Sequence, residues 1–268
     1  MDSKIIDGNA LAKKHEEILK KKLESLKRYR NPAVVSFCNQ DDPPSVKYTF
    51  MKLQKAQDLG IDFIAEEFSS DTPKDYLENL VKNYGSDGNV DGILVQLPLP
   101  QELNPFKEDL LSLIPPEKDV DGLVDGSPFL PATVKAVISI LNEYISGWQK
   151  KKIAIVGSEG EIGKSLGAKL IHPPGVSLTT VDKNTGSLET DLKDADIIIS
   201  AVGSENLIRA EMIREGAVLI DVGLGDFDPD CFQKASLYTS KIGGVGPMTV
   251  ISLMENVTEA FLRKLKSS

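Results

Sequence analysis

Apolar and polar positions in the first half of the chain follow two alternating patterns. Short apolar runs at 33–38 and 93–95 are typical of buried strands in a parallel sheet, and 61–68 is predicted to be a further strand. The stretches between them repeat apolar residues at three- and four-residue steps, as amphipathic helices do. Residues 33–97 are therefore predicted to alternate strand, helix, strand, helix, strand, as a parallel α/β unit does.

Local signals limit the predicted helices. A long charged helix follows the turn at Asp7, Ser45 is expected to cap the next helix, and Gly60 is expected to end it. A further helix opens after Pro73, and 104–114 is predicted to be helical as well.

A second set of apolar runs predicts a separate sheet further along, with strands at 152–156, 176–181, 196–202 and 217–222. Glycine or aspartate directly follows each run, as in dinucleotide-binding folds. We expect an α/β fold of two domains with a cleft between them. Residues 1–134 and 250–268 form a parallel α/β catalytic domain, on which the C-terminal helix packs back, and residues 135–249 form a Rossmann-type domain.

Composition excludes several classes of protein. The net charge of −9 over 268 residues argues against a nucleic-acid binder, which needs a basic surface. The two cysteines and two histidines are not at metal-ligand spacing, so neither a disulfide framework nor a metal site is expected. The N-terminus shows no apolar signal core, and no apolar run approaches the ~18 residues of a membrane span. We expect a cytoplasmic protein without metal.

Two places in the first domain are candidates for chemistry. Gln96 follows the strand at 93–95, at the edge of a parallel sheet where ligands bind, and the prolines after it stop the strand. Tyr48 and Lys52 are four residues apart on a predicted helix and share a face. A lysine desolvated in a cleft beside a phenol and an amide can shuttle a proton. The alternatives are a glutamine that caps a turn and an ordinary exposed i,i+4 pair.

The second domain carries a glycine loop between a strand and a helix, with Gly157, Gly160 and Gly163 at three-residue steps. This loop departs from the Gly-x-Gly-x-x-Gly fingerprint, but its context suits a dinucleotide. Asp182 ends the next strand, where an acidic residue takes the ribose hydroxyls of NAD and repels the extra phosphate of NADP. The adjacent Lys183 softens that preference. The alternative is that Asp182 has only a structural role at the end of its strand.

Five motifs together resemble the bifunctional methylene-tetrahydrofolate dehydrogenase/cyclohydrolase family, in the family's order and over nearly the whole chain. The motifs are Ser45-x-x-Tyr48-x-x-x-Lys52, Asp91-Gly-Ile-Leu-Val-Gln96-Leu-Pro-Leu-Pro100, Pro116-x-Lys118-Asp-Val-Asp121-Gly122, Ile220-Asp-Val-Gly223 and Gly243-Gly-Val-Gly-Pro-Met-Thr249.

The resemblance implies two consecutive reactions in one cleft. Methylene-tetrahydrofolate gives a hydride to NAD or NADP and becomes the methenyl cation, and water then opens that cation to 10-formyl-tetrahydrofolate. By family match Lys52 is the central catalytic residue, Gln96 tunes it, Tyr48 accompanies it, and Asp121 holds the pterin ring. The resemblance also implies a homodimer, and it implies no metal.

The same resemblance implies two sets of binding residues. The folate derivative is expected to contact Tyr48, Lys52, Val95, Gln96, Leu97, Asp121, Ile242, Gly243, Gly244, Gly246 and Pro247. The cofactor is expected to contact Gly157, Ser158, Glu159, Ile162, Gly163, Asp182, Lys183, Gly203, Leu224 and Thr249.

Departures from the family pattern favour NAD over NADP. The family's cofactor loop commonly reads Gly-Arg-Ser, whereas this chain has Gly157-Ser158-Glu159, so the arginine that suits a 2′-phosphate is absent and a negative charge is added. A usual His-Ser pair is replaced by Asp182-Lys183. Two further changes, at Ser240-Lys241-Ile242 and Pro131-Ala132-Thr133-Val134, touch the expected cleft rim and hinge.

Two other functions are consistent with these departures. The unusual cofactor loop would suit a cyclohydrolase with weak or lost dehydrogenase activity. A non-catalytic dinucleotide-binding regulator is the alternative from another class, although the presence of Tyr48, Lys52, Gln96 and Asp121 argues against it.

Overall fold

The computed structural model describes residues 4–171, 175–182 and 187–267. Its strands are β1 (Ile5–Ile6), β2 (Ala33–Asn39), β3 (Asp62–Phe68), β4 (Gly92–Val95), β5 (Lys152–Val156), β6 (Ser177–Val181), β7 (Ile197–Ser200), β8 (Val218–Asp221) and β9 (Leu237–Thr239). Its α-helices are α1 (Gly8–Glu24), α2 (Pro43–Leu59), α3 (Lys74–Ser86), α4 (Lys107–Ser112), α5 (Ala132–Tyr144), α6 (Glu161–Leu170), α7 (Leu188–Leu192), α8 (Cys231–Lys234) and α9 (Val245–Ser267).

The chain divides into two compact units. Lys14–Ala132 and the residues from Val250 onward form what we call the Lys52 unit, and the residues up to Lys13 with Thr133–Thr249 form the Gly157 unit. Residues 4–13 lie in a different unit from the one predicted, because β1 pairs with β9 in the sheet of the Gly157 unit. Both units have parallel sheets, which confirms the predicted α/β class.

The Lys52 unit has a three-stranded parallel sheet in the order β3-β2-β4. Every residue of β2 and β4 is buried, as the unbroken apolar runs predict. Phe37 and Val95 are register partners and pack into one apolar cluster with Leu77 and Val81 of α3. The last residue of β4 is therefore held rigidly at the carboxyl edge of the sheet.

Helix α2 begins differently from the prediction. Asp42, not Ser45, is the N-cap: its carboxylate accepts a hydrogen bond of 2.9 Å from the Ser45 amide. Pro43 then fits the first helical position, because an amide proton there would have no acceptor within the helix and proline lacks that proton. Gly60 ends the helix with φ +72°, as predicted.

The Gly157 unit has a six-stranded parallel sheet in the order β1-β9-β8-β7-β5-β6. The order reverses around β5, so the switch point of this Rossmann-type sheet lies where β5 neighbours both β6 and β7. Buried side chains of β5, β7 and β8 form its core, with Ala154, Ile198 and Leu219 among them. The loop that begins at Gly157 follows β5 directly.

Other predicted helix limits are corrected by the structure. The stretch 104–114 splits into a 3-10 turn at Asn104–Phe106 followed by α4. Helix α9 begins at Val245, within the glycine-rich segment that was expected to be a loop as far as Thr249. Across the described ranges, no helix combines the length and the apolar character needed to cross a membrane.

Candidate active site

The centre of the candidate site is a hydrogen bond between Lys52 and Gln96. Lys52 lies on the buried face of α2 and is only 7 % exposed. Its Nζ donates to Gln96 Oε1 at 2.7 Å, and Gln96 Nε2 donates to the Leu97 carbonyl at 3.0 Å. The backbone N–H of Gln96 donates to the Phe37 carbonyl at 2.8 Å, which continues the pairing of the sheet one residue beyond β4. The glutamine is thus fixed from both ends.

The environment of Lys52 favours its neutral form. Burial lowers the pKa of the ammonium from its ordinary value of 10.5, and the charges of Asp121 and Cys38 oppose this decrease. Lys52 is therefore a desolvated side chain, not the exposed member of an i,i+4 pair. Tyr48, one turn earlier on α2, is half-buried.

Two residues of the motif Pro116-x-Lys118-Asp119-Val120-Asp121-Gly122 hold its loop in place, and a third, Asp121, is a candidate to bind the substrate. Lys118 is buried and donates to the carbonyls of Tyr84 at 3.0 Å and Asp87 at 2.7 Å. Asp119 is buried and accepts from the amides of Gly122 at 3.1 Å and Val124 at 2.8 Å. Asp121 is partly exposed and acts electrostatically on Lys52. Lys118 and Asp119 thus shape the loop that presents Asp121.

Asn256 is an anchor of this loop that the sequence did not reveal. Its Nδ2 donates to the carbonyls of Val120 at 2.9 Å and Leu130 at 3.0 Å, and the side chain is buried on α9. These contacts confirm that the C-terminal helix packs on the Lys52 unit. A buried asparagine on an apolar helix face was the available signal.

The remaining predicted folate residues fall into two groups. Val95 is buried, and Leu97 is half-buried and precedes a cis peptide bond to Pro98; both belong to the Lys52 unit. Ile242, Gly243, Gly244, Gly246 and Pro247 belong to the Gly157 unit. Ile242 is 90 % exposed. Gly243 has φ +82°, and a Cβ there would lie 2.5 Å from Asn9 Nδ2 on α1, so close packing on α1 explains part of this glycine-rich segment.

The glycine loop after β5 has the backbone features of a phosphate-binding turn. Gly157 has φ +86°, and a Cβ there would lie 2.9 Å from the Ala201 carbonyl oxygen. A Cβ on Gly163 would overlap the Gly157 carbonyl. Helix α6 starts at Glu161, so its N-terminal amides lie at the end of this loop. These close contacts show that the glycines allow the tight turn from strand to helix on which a dinucleotide-binding loop depends.

Asp182 is tied to this loop. Its Oδ2 accepts from Ser158 Oγ and its Oδ1 accepts from the Glu159 amide at 2.9 Å. Beside it lies a cavity of about 260 Å³. The lining residues are Val156, Gly157, Glu159, Val181, Asp182, Leu188, Val202, Ser204 and Leu207. This mixture of apolar walls and one oriented carboxylate suits the adenosine part of a nicotinamide cofactor.

Other predicted cofactor residues within the described ranges lie elsewhere in the Gly157 unit. Gly203 and Leu224 have positive φ, at +76° and +67°, in the loops that follow β7 and β8. Ile162 lies on α6, and Thr249 on α9 donates to the Val245 carbonyl at 3.3 Å. Lys183 lies outside the described residues.

Two buried carboxylates stand at the carboxyl edge of β8. Asp221, from the motif Ile220-Asp221-Val222-Gly223, accepts from the Gly225 amide at 2.7 Å through one oxygen. Its other oxygen has no hydrogen-bond partner in the described part of the chain. Burial raises the pKa of Asp221, and the nearby charge of Asp226 adds to the increase. The second carboxylate, Asp226, was not among the residues predicted from the sequence.

Comparisons with known proteins agree along the whole chain. Residues 6–121 match the family model for the tetrahydrofolate dehydrogenase/cyclohydrolase catalytic domain, and residues 131–265 match that for its NAD(P)-binding domain. A relative from Mesoplasma florum, named bifunctional protein FolD, is 36% identical over 98% of this chain and 99% of its own.

Two solved structures are similar over nearly the full length. The bifunctional enzyme FolD, a methylenetetrahydrofolate dehydrogenase/cyclohydrolase from Campylobacter jejuni, superposes with a TM-score of 0.89 at 31% identity and covers 97% of this chain and 98% of its own. The methylenetetrahydrofolate dehydrogenase-cyclohydrolase of Trypanosoma brucei, complexed with NADP and an inhibitor, gives 0.87 at 30% identity and covers 98% of each chain. The chain therefore belongs to the tetrahydrofolate dehydrogenase/cyclohydrolase family.

Proposed function

We propose that Lys52, Gln96 and Tyr48 carry out the proton transfers of this enzyme, and that NAD is its preferred cofactor. The family assigns the chain two activities: NAD(P)-dependent oxidation of methylene-tetrahydrofolate and hydrolysis of the resulting methenyl form to 10-formyl-tetrahydrofolate. When bound, NAD(P)⁺ supplies the hydride acceptor. The observation that carries the residue assignment is the buried Lys52–Gln96 hydrogen bond of 2.7 Å.

A neutral lysine suits the hydrolytic step. The methenyl carbon is cationic, so an ammonium beside it would be repelled, whereas an amine can accept a proton. As the water oxygen bonds to that carbon, one water proton passes to Lys52 Nζ. The hydroxyl group of the resulting adduct loses its proton as the carbonyl forms, one proton goes to the ring nitrogen as its bond to the carbon breaks, and the formyl group stays on the other nitrogen. The net result consumes one water and releases one proton.

Gln96 and Tyr48 support this transfer in different ways. Gln96 Oε1 accepts a hydrogen bond from Nζ, which leaves the amine lone pair directed elsewhere and keeps the long lysine side chain in one orientation. Tyr48 lies one helical turn away, so its hydroxyl can bond to the same substrate. Asp121 offers a carboxylate acceptor for the amino and ring N–H groups of the pterin.

The test is Lys52→Met, with Lys47→Met as its matched control. Both substitutions remove one amine from α2, but Lys47 is exposed. Methenyl hydrolysis is expected to fall to the buffer rate in Lys52→Met and to stay unchanged in Lys47→Met. Enzyme-dependent hydrolysis that persists in a folded Lys52→Met variant would remove Lys52 from its role.

The preference for NAD is supported by charge at the adenosine cavity. The Asp182 carboxylate is oriented by Ser158 and Glu159, and a carboxylate is an acceptor that suits ribose hydroxyls. The carboxylate of Glu159, which also lines the cavity, adds to the repulsion that a 2′-phosphate would meet.

Asp182→Ala, with Asp194→Ala as the control, tests this preference. Asp194 is exposed in the same unit and its removal changes the net charge equally. We expect the KM for NAD to rise about tenfold or more in Asp182→Ala, as for loss of a charged hydrogen-bond partner, and the KM for NADP to change less. An equal increase for both cofactors would show that Asp182 does not read the ribose.

We also propose a cytoplasmic homodimer, which the family resemblance supports. Light scattering on the purified protein is expected to give twice the mass of one chain at micromolar concentration. A mass that stays at one chain would contradict this assembly.

A further inference from the structure

Asp226 is a fully buried carboxylate at the cofactor side of the Gly157 unit. It is 0 % exposed and accepts three hydrogen bonds. Ser200 Oγ donates to Oδ2 at 2.6 Å, the Val202 amide donates to Oδ2 at 2.9 Å, and the Ser204 amide donates to Oδ1 at 2.8 Å. All three donors belong to the end of β7 and the loop after it, whereas Asp226 belongs to the loop after β8.

Two of these donors belong to residues that line the adenosine cavity. Val202 and Ser204 lie in its wall beside Gly157 and Asp182. Gly203 between them has φ +76°, a conformation that directs the two flanking amides at one carboxylate, as in an anion-binding nest of backbone amides. The anion in this nest is part of the protein itself.

Gly223 provides space for this arrangement. A Cβ on Gly223 would overlap the carboxylate of Asp226, although the backbone of Gly223 is not in the left-handed region. The glycine of the Ile220-Asp221-Val222-Gly223 motif is thus explained in this chain by the position of a side chain three residues later.

We infer that Asp226 is a positioning residue for the cofactor: it holds the loop 202–204 in the conformation that forms the wall of the adenosine cavity. This inference rests on the proposed cofactor site in the Gly157 unit. Without the carboxylate, the amides of Val202 and Ser204 lose their acceptor and the loop must be ordered each time the cofactor binds. Cofactor affinity falls, while the residues proposed for hydrolysis, all in the Lys52 unit, are untouched.

Two variants disturb the contact between the Asp226 carboxylate and the loop 202–204 by independent routes. Asp226→Asn keeps the shape but places an NH₂ group against an N–H donor. Gly223→Ala leaves Asp226 in the sequence and fills its place with a methyl group. Asp228→Asn is the matched control, since it removes the same charge two residues away, where the carboxylate accepts only from the Asp230 amide among the described hydrogen bonds.

The measurements are KM for NAD at saturating methylene-tetrahydrofolate, NADH affinity by fluorescence titration, and methenyl hydrolysis without cofactor. In Asp226→Asn and Gly223→Ala we expect KM and the NADH dissociation constant to rise about tenfold or more, with hydrolysis within about twofold of the unmodified protein. Asp228→Asn should change none of the three. The hydrolysis assay reports that the variants are folded.

Unchanged NADH affinity in both variants would overturn the inference, and so would loss of both activities in both, because Asp226 would then serve the fold as a whole. Failure of the proposed function looks different. In that case the unmodified protein itself shows no hydride transfer with NAD or NADP.

Discussion

Lys52 is a residue at which function and stability are opposed. Burial of its amine lowers its pKa below the ordinary 10.5, so its charged form costs folding free energy. Its partner Gln96 is uncharged and offers one acceptor at 2.7 Å, which orients the amine without restoring its charge. A carboxylate in place of Gln96 would instead hold the proton on Lys52.

Removal of Lys52 is expected to stabilise the protein. Below the folded-state pKa the wild type buries an ammonium. Between that pKa and 10.5 the unfolded chain binds more protons than the folded one, so wild-type stability rises with pH. Lys52→Met should therefore have a higher Tm at pH 7, by roughly 2–4 °C for each kcal/mol gained, and this advantage should shrink towards pH 10. Calorimetry across this range checks it; a lower Tm at pH 7 would contradict the account.

Gln96→Glu should move the pH dependence of hydrolysis. A carboxylate beside Lys52 raises the pKa of the amine, so the alkaline rise in activity should shift upward by about 1–3 pH units. Gln101→Glu, an equal charge change at an exposed position nearby, should leave the profile in place. An unshifted profile in Gln96→Glu would mean that Lys52 is not the group that titrates.

At the residue scale, the sequence predicted candidates but not their contacts. Lys52 and Gln96 are far apart in the chain, so their pairing came only from the family resemblance. Asp226 had no signal because its partners are backbone amides of another loop. Asn256 likewise makes its contacts through backbone carbonyls of distant residues.

Among the elements, the loop and helix after β5 show how closely local geometry is determined. Gly163 lies where a side chain would overlap the Gly157 carbonyl, whereas a Cβ on Gly167, one turn later on α6, meets nothing within 4 Å. The two glycines of one helix are therefore required to different degrees. Only the first is needed for the turn of the cofactor loop.

Gly163→Ala is expected to abolish detectable cofactor binding or raise the KM for NAD more than about tenfold, since the loop must move to accept the methyl group. Gly167→Ala is the control and should keep the KM while adding about 0.5–1 kcal/mol to the free energy of unfolding, as glycine in a helix interior does when replaced. Kinetics and thermal unfolding of both variants check this. Equal KM values for NAD in the two variants would show that the glycine loop does not bind the cofactor.

Element prediction from the sequence succeeded where burial is continuous. Strand β5 has the predicted limits, and β2 and β4 each extend one residue beyond the predicted run, to Asn39 and from Gly92. It failed where tertiary contacts decide. Strand β1 has two residues and exists only through its pairing with β9, which was also missed. The glycines before Val245 concealed the start of α9, since glycine opposes helix in isolation but here packs against α1.

At the scale of the whole molecule, the sites proposed for hydrolysis and for cofactor binding can be tested separately. The residues proposed for hydrolysis lie in the Lys52 unit, and the adenosine cavity lies in the Gly157 unit. Variants of the glycine loop should therefore reduce dehydrogenation selectively. Composition excluded several classes of protein and the hydrophobic pattern predicted the fold class, while the family motifs supplied the substrate and the chemistry, which no hydrophobic pattern encodes.

The most direct test follows methylene-tetrahydrofolate oxidation by the purified enzyme with NAD and, separately, with NADP, recording both reduced cofactor and the methenyl intermediate. The account predicts a higher kcat/KM with NAD and no lasting accumulation of the methenyl form, because Lys52 and Gln96 hydrolyse it. A clear preference for NADP would contradict the role of Asp182, and persistent methenyl accumulation would contradict the role of Lys52.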